Sequence, residues 1–218
     1  VFSGSTGRTA QAGGKFFVAD DDTVLVYDAI TGSATVETPA ASSPTVIIED
    51  LTAEGDRVFA ACGDDGVYVR SAAGSWTFFS DAAAIRIAFV KDTIIACTDR
   101  IFYELNTTTG AKTAKLTLKE GWTFTHIGEN GPFIYAPAIN ANSGQSKVYH
   151  FGLDDSLVLQ PQGSSWLPNN ELCYSFKGYL GIVFLGCGRT NSSGGKDALF
   201  YKATPDSQGF LSIDLVAE

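Results

Sequence analysis

The chain has 218 residues and a formal net charge of −9, with 15 Lys and Arg against 24 Asp and Glu. It has no basic cluster of the kind that nucleic acid requires, and no apolar run near the roughly 20 residues that span a bilayer. We therefore predict that it binds no nucleic acid and is not membrane-embedded.

The first segment, residues 1–14, is small and polar. It predicts either an N-terminal arm or a strand added to a neighbouring structural unit. The sequence contains no Met and begins at Val1, so we expect it to be part of a longer or processed protein.

From Lys15 onward one pattern occurs five times: an apolar strand, a Gly/Asp turn, an alternating strand, another turn, and a Thr- or Ser-rich strand. The five units cover residues 15–39, 46–80, 85–118, 122–160 and 172–216. The third strand of each unit carries an aromatic residue: Tyr27, Tyr68, Phe102, Tyr149 and Phe200. A period of about 35 to 45 residues is typical of four-stranded antiparallel modules arranged around an axis. We predict an all-β chain, a β-propeller with about five four-stranded blades. The pattern is compatible with a closed five-bladed ring and also with part of a larger ring.

Tight turns are predicted between the first two strands of the last four units. They fall at Glu54–Gly55–Asp56, Lys91–Asp92, Glu129–Asn130–Gly131 and Lys177–Gly178. These residue types tolerate positive φ or hydrogen-bond their own backbone.

Three of the four Cys, Cys62, Cys97 and Cys187, end the second strand of their units, so we predict buried free thiols. Cys173 and Cys187 fall on adjacent strands of one blade, and a disulfide between them stays open. No zinc-ligand spacing occurs, and no cofactor is predicted. The acidic run Asp20–Asp22 is interpreted as a solvated turn, with a weak calcium site as the alternative.

The two longest polar loops, Ile139–Ser146 and Thr190–Gly195, fall at the same place in the fourth and fifth units. We expect them to emerge on one face, where a rigid scaffold usually presents its binding residues. Trp166, between Ser and Pro in a predicted connector, is expected to be exposed. The candidate binding residues are Asn140, Asn142, Ser143, Gln145, Trp166, Asn191, Ser192 and Ser193.

Catalysis is not predicted. The two histidines, His126 and His150, are interpreted as strand residues at blade faces. No G-x-S-x-G motif occurs, and the positions of the acidic residues do not identify a pair of carboxylates for glycoside hydrolysis.

The fourth and fifth units resemble a known family. The segments GPFIYAPAINANSGQSKVYHFGLDD and YSFKGYLGIVFLGCGR are similar to propeller-like repeats of minor tail proteins of actinobacterial bacteriophages. The similarity covers about residues 128–189. It implies a virion tail-tip or tail-fibre component that is present in multiple copies. The implied partners are other tail proteins and a host-surface glycan or receptor.

The leading hypothesis is a non-enzymatic phage tail propeller that acts in tail assembly or host attachment. A carbohydrate-binding or carbohydrate-active propeller, which would be secreted, is the first alternative. The second is a cellular protein-interaction propeller, although the Trp-Asp and Gly-His signatures of WD40 repeats are missing.

Overall fold

The computed structural model describes residues 8–39, 46–154, 158–190 and 193–217. These residues form strands and turns but no helix, and the strands form five antiparallel sheets. Each sheet corresponds to one of the five predicted units and is called a blade below. The predicted all-β organisation is therefore confirmed.

The first three blades contain four strands each. The first comprises β1 (Thr9–Ala12), β2 (Lys15–Asp20), β3 (Thr23–Asp28) and β4 (Ala34–Glu37). The second comprises β5 (Asp50–Glu54), β6 (Arg57–Ala61), β7 (Val67–Arg70) and β8 (Trp76–Ser80). The third comprises β9 (Arg86–Val90), β10 (Thr93–Cys97), β11 (Ile101–Leu105) and β12 (Lys112–Thr117).

The last two blades have longer strands. The fourth comprises β13 (Thr123–Phe124), β14 (Gly128–Asn130), β15 (Phe133–Asn140), β16 (Gln145–Leu153) and β17 (Leu159–Trp166). Both β13 and β14 pair with β15, so together they make one interrupted first strand. The fifth comprises β18 (Leu172–Tyr179), β19 (Ile182–Thr190), β20 (Lys196–Pro205) and β21 (Leu211–Ala217).

Three sequence predictions need correction. Strand β1 pairs with β2, so Thr9–Ala12 belong to the first blade itself and are neither an arm nor a strand of a neighbouring blade. The fourth blade extends to Trp166, beyond the predicted end at residue 160. His126 lies in the interruption between β13 and β14 and is not a strand residue.

The predicted turn at Lys177–Gly178 is also wrong. Both residues lie in β18, and the hairpin turn is Leu180–Gly181, with φ of 50° and 79°. Two consecutive positive φ values match the turn that suits the twist of paired strands, and Gly at the second position adopts this conformation without steric cost.

Packing divides the chain into two compact units. The first comprises Val1–Thr98 and Phe102–Ala114, and the second comprises Asp99–Ile101 and Lys115–Glu218. In the first unit the core contains Phe17, Val24 and Val58 in one cluster and Phe59, Ile94 and Leu105 in another. In the second unit the apolar faces of the fourth and fifth blades pack together through Tyr135, Val148, Phe176 and Leu185.

Candidate functional site

A cleft of about 540 Å³ opens between the fourth and fifth blades, within the second unit. Its lining combines amide, hydroxyl, guanidinium, ammonium and carboxylate groups with one tyrosine ring. The lining residues are Ala141, Asn142, Ser143, Gly144, Asn170, Leu172, Tyr174, Gly188, Arg189, Thr190, Lys196 and Asp197. The volume falls within the range usual for small-molecule sites.

The turn between β15 and β16 forms one wall and is held by its own side chains. Asn140 Oδ1 accepts a hydrogen bond of 3.1 Å from the backbone N–H of Ser143, and Ser143 Oγ donates one of 3.2 Å to Gln145 Oε1. The N–H of Asn170 donates to the carbonyl of Gly144 at 2.7 Å. Glycine suits position 144 because φ there is 66°, a conformation that other residues rarely adopt; an added Cβ atom would also lie 2.7 Å from Asn170 Oδ1.

Tyr174 supplies the aromatic surface. It follows Cys173 at a β-bulge in β18, and 52% of the residue is exposed. A bulge interrupts the alternation of side chains along a strand, which explains why Tyr174 and Ser175 are both exposed between buried Cys173 and Phe176. A Cβ atom at position 188 would lie 3.4 Å from Tyr174 Cε2, so the ring lies beside the backbone of Gly188.

Arg189 is fixed by two carboxylates. Its Nη1 lies 3.5 Å from Glu171 Oε1, and its Nε donates to Asp197 Oδ2 at 3.3 Å. Glu171 is buried and also accepts a hydrogen bond from the hydroxyl of Tyr201. Burial, followed by the contact with Glu171, raises the pKa of Tyr201, so its hydroxyl keeps its proton and remains a donor. The guanidinium therefore meets the cleft in a defined orientation.

The structure brings together only some of the predicted binding residues. Asn142 and Ser143 line the cleft, whereas Asn140 and Gln145 support the turn from behind. Asn191 and Ser192 lie outside the described residues, and Ser193 is exposed but is not part of the described lining. The second predicted loop still borders the cleft, because Thr190 and Lys196 on either side of it both line the wall.

Trp166 is exposed, as predicted, at 54%, but it lies elsewhere. It is the last residue of β17, not part of a connector, and it does not line the cleft. Four residues of the cleft were not predicted from the sequence: Asn170, Tyr174, Arg189 and Asp197. The sequence could have pointed to them only through their positions. Arg189 and Asp197 flank the predicted loop 190–195, Tyr174 follows a buried cysteine, and Asn170 lies just before β18.

All four cysteines are buried thiols outside any disulfide, as predicted for Cys62, Cys97 and Cys187. Cys173 and Cys187 face each other in direct register as thiols, with no disulfide between them. Within the described ranges, no three His, Cys, Asp or Glu side chains converge as metal ligands. The same residues contain no helix that could cross a membrane.

Comparison with known proteins supports the fold alone. No protein-family model matches the chain, and no curated protein sequence is significantly similar to it. One similar solved structure is a chain from the S. cerevisiae complex of a Dbp5 variant with Nup159, a Gle1 variant, IP6 and ADP, at 12% identity and a TM-score of 0.63. A Lactobacillus plantarum protein has 12% identity and a TM-score of 0.68, and an extracellular domain from B. thetaiotaomicron has 10% and 0.61.

The alignments cover 97%, 97% and 95% of this chain, and 61%, 70% and 34% of those three chains, respectively. The chain thus spans less than two thirds of the length of the first of them. Five four-stranded antiparallel blades together with this likeness identify the fold as a β-propeller.

Proposed function

We propose that this chain is a non-enzymatic binding propeller of a bacteriophage tail tip, and that the cleft between its fourth and fifth blades binds a host-surface glycan. The observation that carries the proposal is the composition of the cleft. An exposed tyrosine ring lies in the same concave surface as two asparagine amides and an oriented arginine.

Saccharides present ring C–H groups on their faces and hydroxyls around their edges. A site for them needs an aromatic surface and several convergent donors and acceptors. Tyr174 can supply the surface. Asn142 and Asn170 offer both donors and acceptors, and Arg189 offers donors in a fixed geometry.

The described carboxylates nearest the cleft favour binding over hydrolysis. Glycoside hydrolysis uses one carboxyl group as proton donor and a second as nucleophile or base. Asp197 and Glu171 are instead both paired with Arg189, and Glu171 is buried beneath Tyr201. Their contacts hold the guanidinium in place, which is a structural role.

The assignment to a tail tip rests on the resemblance of residues 128–189 to tail-protein repeats. That stretch includes Asn142, Asn170, Tyr174 and Arg189 of the cleft. Immunogold labelling of virions with antibodies against the purified chain tests this part. Label at the tail end is the expected result, and its absence from intact virions would contradict the assignment.

The binding test uses isothermal titration with actinobacterial cell-wall polysaccharides and an oligosaccharide panel. Tyr174→Ala is the diagnostic variant, and Tyr179→Ala is its matched control, since Tyr179 ends the same strand, is 62% exposed and does not line the cleft. We expect Tyr174→Ala to weaken binding at least about tenfold, the usual effect of losing one aromatic stacking contact. Equal affinities of the Tyr174→Ala and Tyr179→Ala variants would contradict the proposal that the cleft is the glycan-binding site. If mass spectrometry detects shorter sugars released from the glycan, the proposal that the chain is non-enzymatic would be overturned.

A further inference from the structure

Two tryptophans and a lysine form a cluster on the fourth blade, outside the cleft. The Nζ of Lys147 lies 4.0 Å from the ring centroid of Trp166 and 5.0 Å from that of Trp122. The two indoles meet edge to face, with centroids 5.9 Å apart. The ring of Tyr149 borders the same ammonium at 5.8 Å.

Strand register explains this grouping. Lys147 in β16 is the direct partner of Trp166 in β17 and of Ala138 in β15, which also pairs with Phe124. Directly opposed residues of antiparallel strands share a face of the sheet. Trp122 directly precedes β13, and its ring contacts both Lys147 and Trp166. Trp166 lies on the edge strand, where more than half of it remains exposed.

The ammonium group of Lys147 has no ion-pair partner among the described residues. Burial, and then the neighbouring charge of Lys119, lowers the pKa of Lys147, and no carboxylate acts in the opposite direction. The contacts of this ammonium group are with the rings of Trp122, Tyr149 and Trp166. Two ammonium groups near the exposed indole of Trp166 and the half-buried indole of Trp122 are unusual on a chain of net charge −9, and they favour an anionic ligand.

We infer that Trp166, Trp122 and Lys147 form a second saccharide subsite, which takes a sugar unit bearing a carboxylate. The sugar ring stacks on the indole of Trp166, and its carboxylate meets the ammonium groups of Lys147 and Lys119. Lys147 already covers one face of the Trp166 ring, which holds the indole in place and leaves the rest of its surface for the ligand. This inference rests on the proposed glycan-binding function and specifies the charge of the ligand.

The subsite lies within reach of the cleft. Gly144 lines the cleft, and Lys147 follows it by three residues, about 10 Å along an extended strand. Asn140 begins the same turn, and its side chain lies beside Gly121, the residue before Trp122. The turn formed by Asn140–Gln145 therefore separates the two sites, and an oligosaccharide that crosses it contacts both.

The experiment compares oligogalacturonate with its methyl ester, which has the same rings without the charge. Binding of each to the purified full chain is measured by isothermal titration and by quenching of tryptophan fluorescence. We expect the wild type to bind the acid about fivefold more tightly than the ester at low salt, as for one partly exposed charge pair. That preference should shrink as salt rises.

Variants at two positions, 147 and 166, separate the contributions of charge and ring. Lys147→Gln should abolish the preference for the acid and leave binding of the ester, while the control Lys177→Gln on the fifth blade should keep the preference. Trp166→Phe and Trp166→Ala should weaken both ligands, the alanine variant by about tenfold, and remove most of the quenching. Thermal melts show whether the Trp166→Ala variant is folded, and Trp166→Phe, which keeps an aromatic ring, provides a second variant if it is not.

An unchanged acid-to-ester ratio in Lys147→Gln, together with unchanged affinities in the Trp166 variants, would overturn the second subsite. If glycans still bind in a manner that depends on Tyr174, the proposed function survives that result. If no saccharide binds to the wild type, the proposed function and the second subsite both fail.

Discussion

The carboxylate of Glu37 and the guanidinium of Arg70 join the first blade to the second by two hydrogen bonds of 2.7 Å, from Nε and Nη2 of Arg70. The indole N–H of Trp76 donates to the same carboxylate at 2.7 Å. Burial favours the neutral acid, but the hydrogen bonds from Arg70 and Trp76 outweigh it and hold the pKa of Glu37 below its usual value. Arg70 also lies over the ring of Phe17 in the core, with only 7% of its side chain exposed.

Glu37→Ala should be strongly destabilising because it takes the carboxylate partner from the buried guanidinium of Arg70, whose remaining hydrogen bond runs from Nη1 to the carbonyl oxygen of Ser71 at 3.4 Å. Removal of one member of a buried ion pair costs about 3 to 5 kcal/mol. The loss can be measured as a lower urea midpoint. Glu54→Ala provides the control, since Glu54 pairs with Arg57 in a more exposed setting and its loss should cost less than about 1 kcal/mol. Similar midpoints for the two variants would contradict this prediction.

His150 makes stability depend on pH. It is buried against the rings of Phe133 and Phe210, and burial lowers its pKa below the usual 6.5, although Asp206 acts in the opposite direction. The unfolded chain therefore binds a proton at a higher pH than the folded chain does. The contribution of neutral His150 is complete above about pH 6.5 and is lost as the pH falls through the lower, folded-state pKa.

The corresponding test is a series of urea melts between pH 7.5 and 5. The wild type should lose about 1 kcal/mol for each unit by which the folded-state pKa is lowered. His150→Gln should flatten this dependence. A wild-type slope that persists in His150→Gln would assign the dependence to other groups.

Gly178 allows the fourth and fifth blades to approach closely. A Cβ atom at this position would lie 2.0 Å from the carbonyl oxygen of Glu129, which is backbone and cannot turn aside. We expect Gly178→Ala to cost about 3 kcal/mol, as for an overpacked core site. Gly181→Ala is the comparison, because position 181 has positive φ but nothing within 4 Å. It should cost about 1 to 2 kcal/mol from backbone strain alone. A milder effect at position 178 than at position 181 would count against close packing of the blades there.

Gly178 also shows how far the sequence could predict the fold. Regular turn residues and alternating strands identified the five blades, because both are local properties of the chain. Lys177–Gly178 has the composition of a turn, yet this glycine is required by a backbone 49 positions away in the sequence, at Glu129. The place of Thr9–Ala12 in the first blade, rather than in an arm or a neighbouring blade, was not predicted for a related reason. This short, polar segment acquires strand structure by pairing with β2.

The candidate site was predicted less completely than the fold. Polar loops pointed to the turn at Asn142 and Ser143, which lines the cleft. The orientation of Tyr174 depends on a β-bulge, and that of Arg189 depends on two carboxylates from distant positions. Neither arrangement has a signature in the spacing of residues. The contact of Lys147 with Trp122 likewise depends on the register across three strands.

Cys173 and Cys187 should resist thiol reagents in the folded protein. They oppose each other across β18 and β19, and both are buried. The hydrogen bond with Cys187, and then burial, raises the pKa of Cys173 well above its usual value, while burial raises that of Cys62 to about 12. Because the thiolate is the reactive form, both effects slow the reaction. At pH 8 a colorimetric thiol titration should detect fewer than one thiol within minutes in the native state, and all four Cys of the chain in denaturant.

The direct register of Cys173 and Cys187 also makes them the pair best placed to form a disulfide when the chain refolds with oxidised glutathione. Exchange through a mixed disulfide joins the two sulfurs and releases two molecules of reduced glutathione for each glutathione disulfide consumed. The denatured product should then show two thiols, and peptide mapping should link position 173 to position 187. Cys187→Ser should abolish this linkage, while Cys97→Ser should leave it intact. A linkage that involves Cys62 or Cys97 in the refolded wild type would show that the register between β18 and β19 does not direct the pairing.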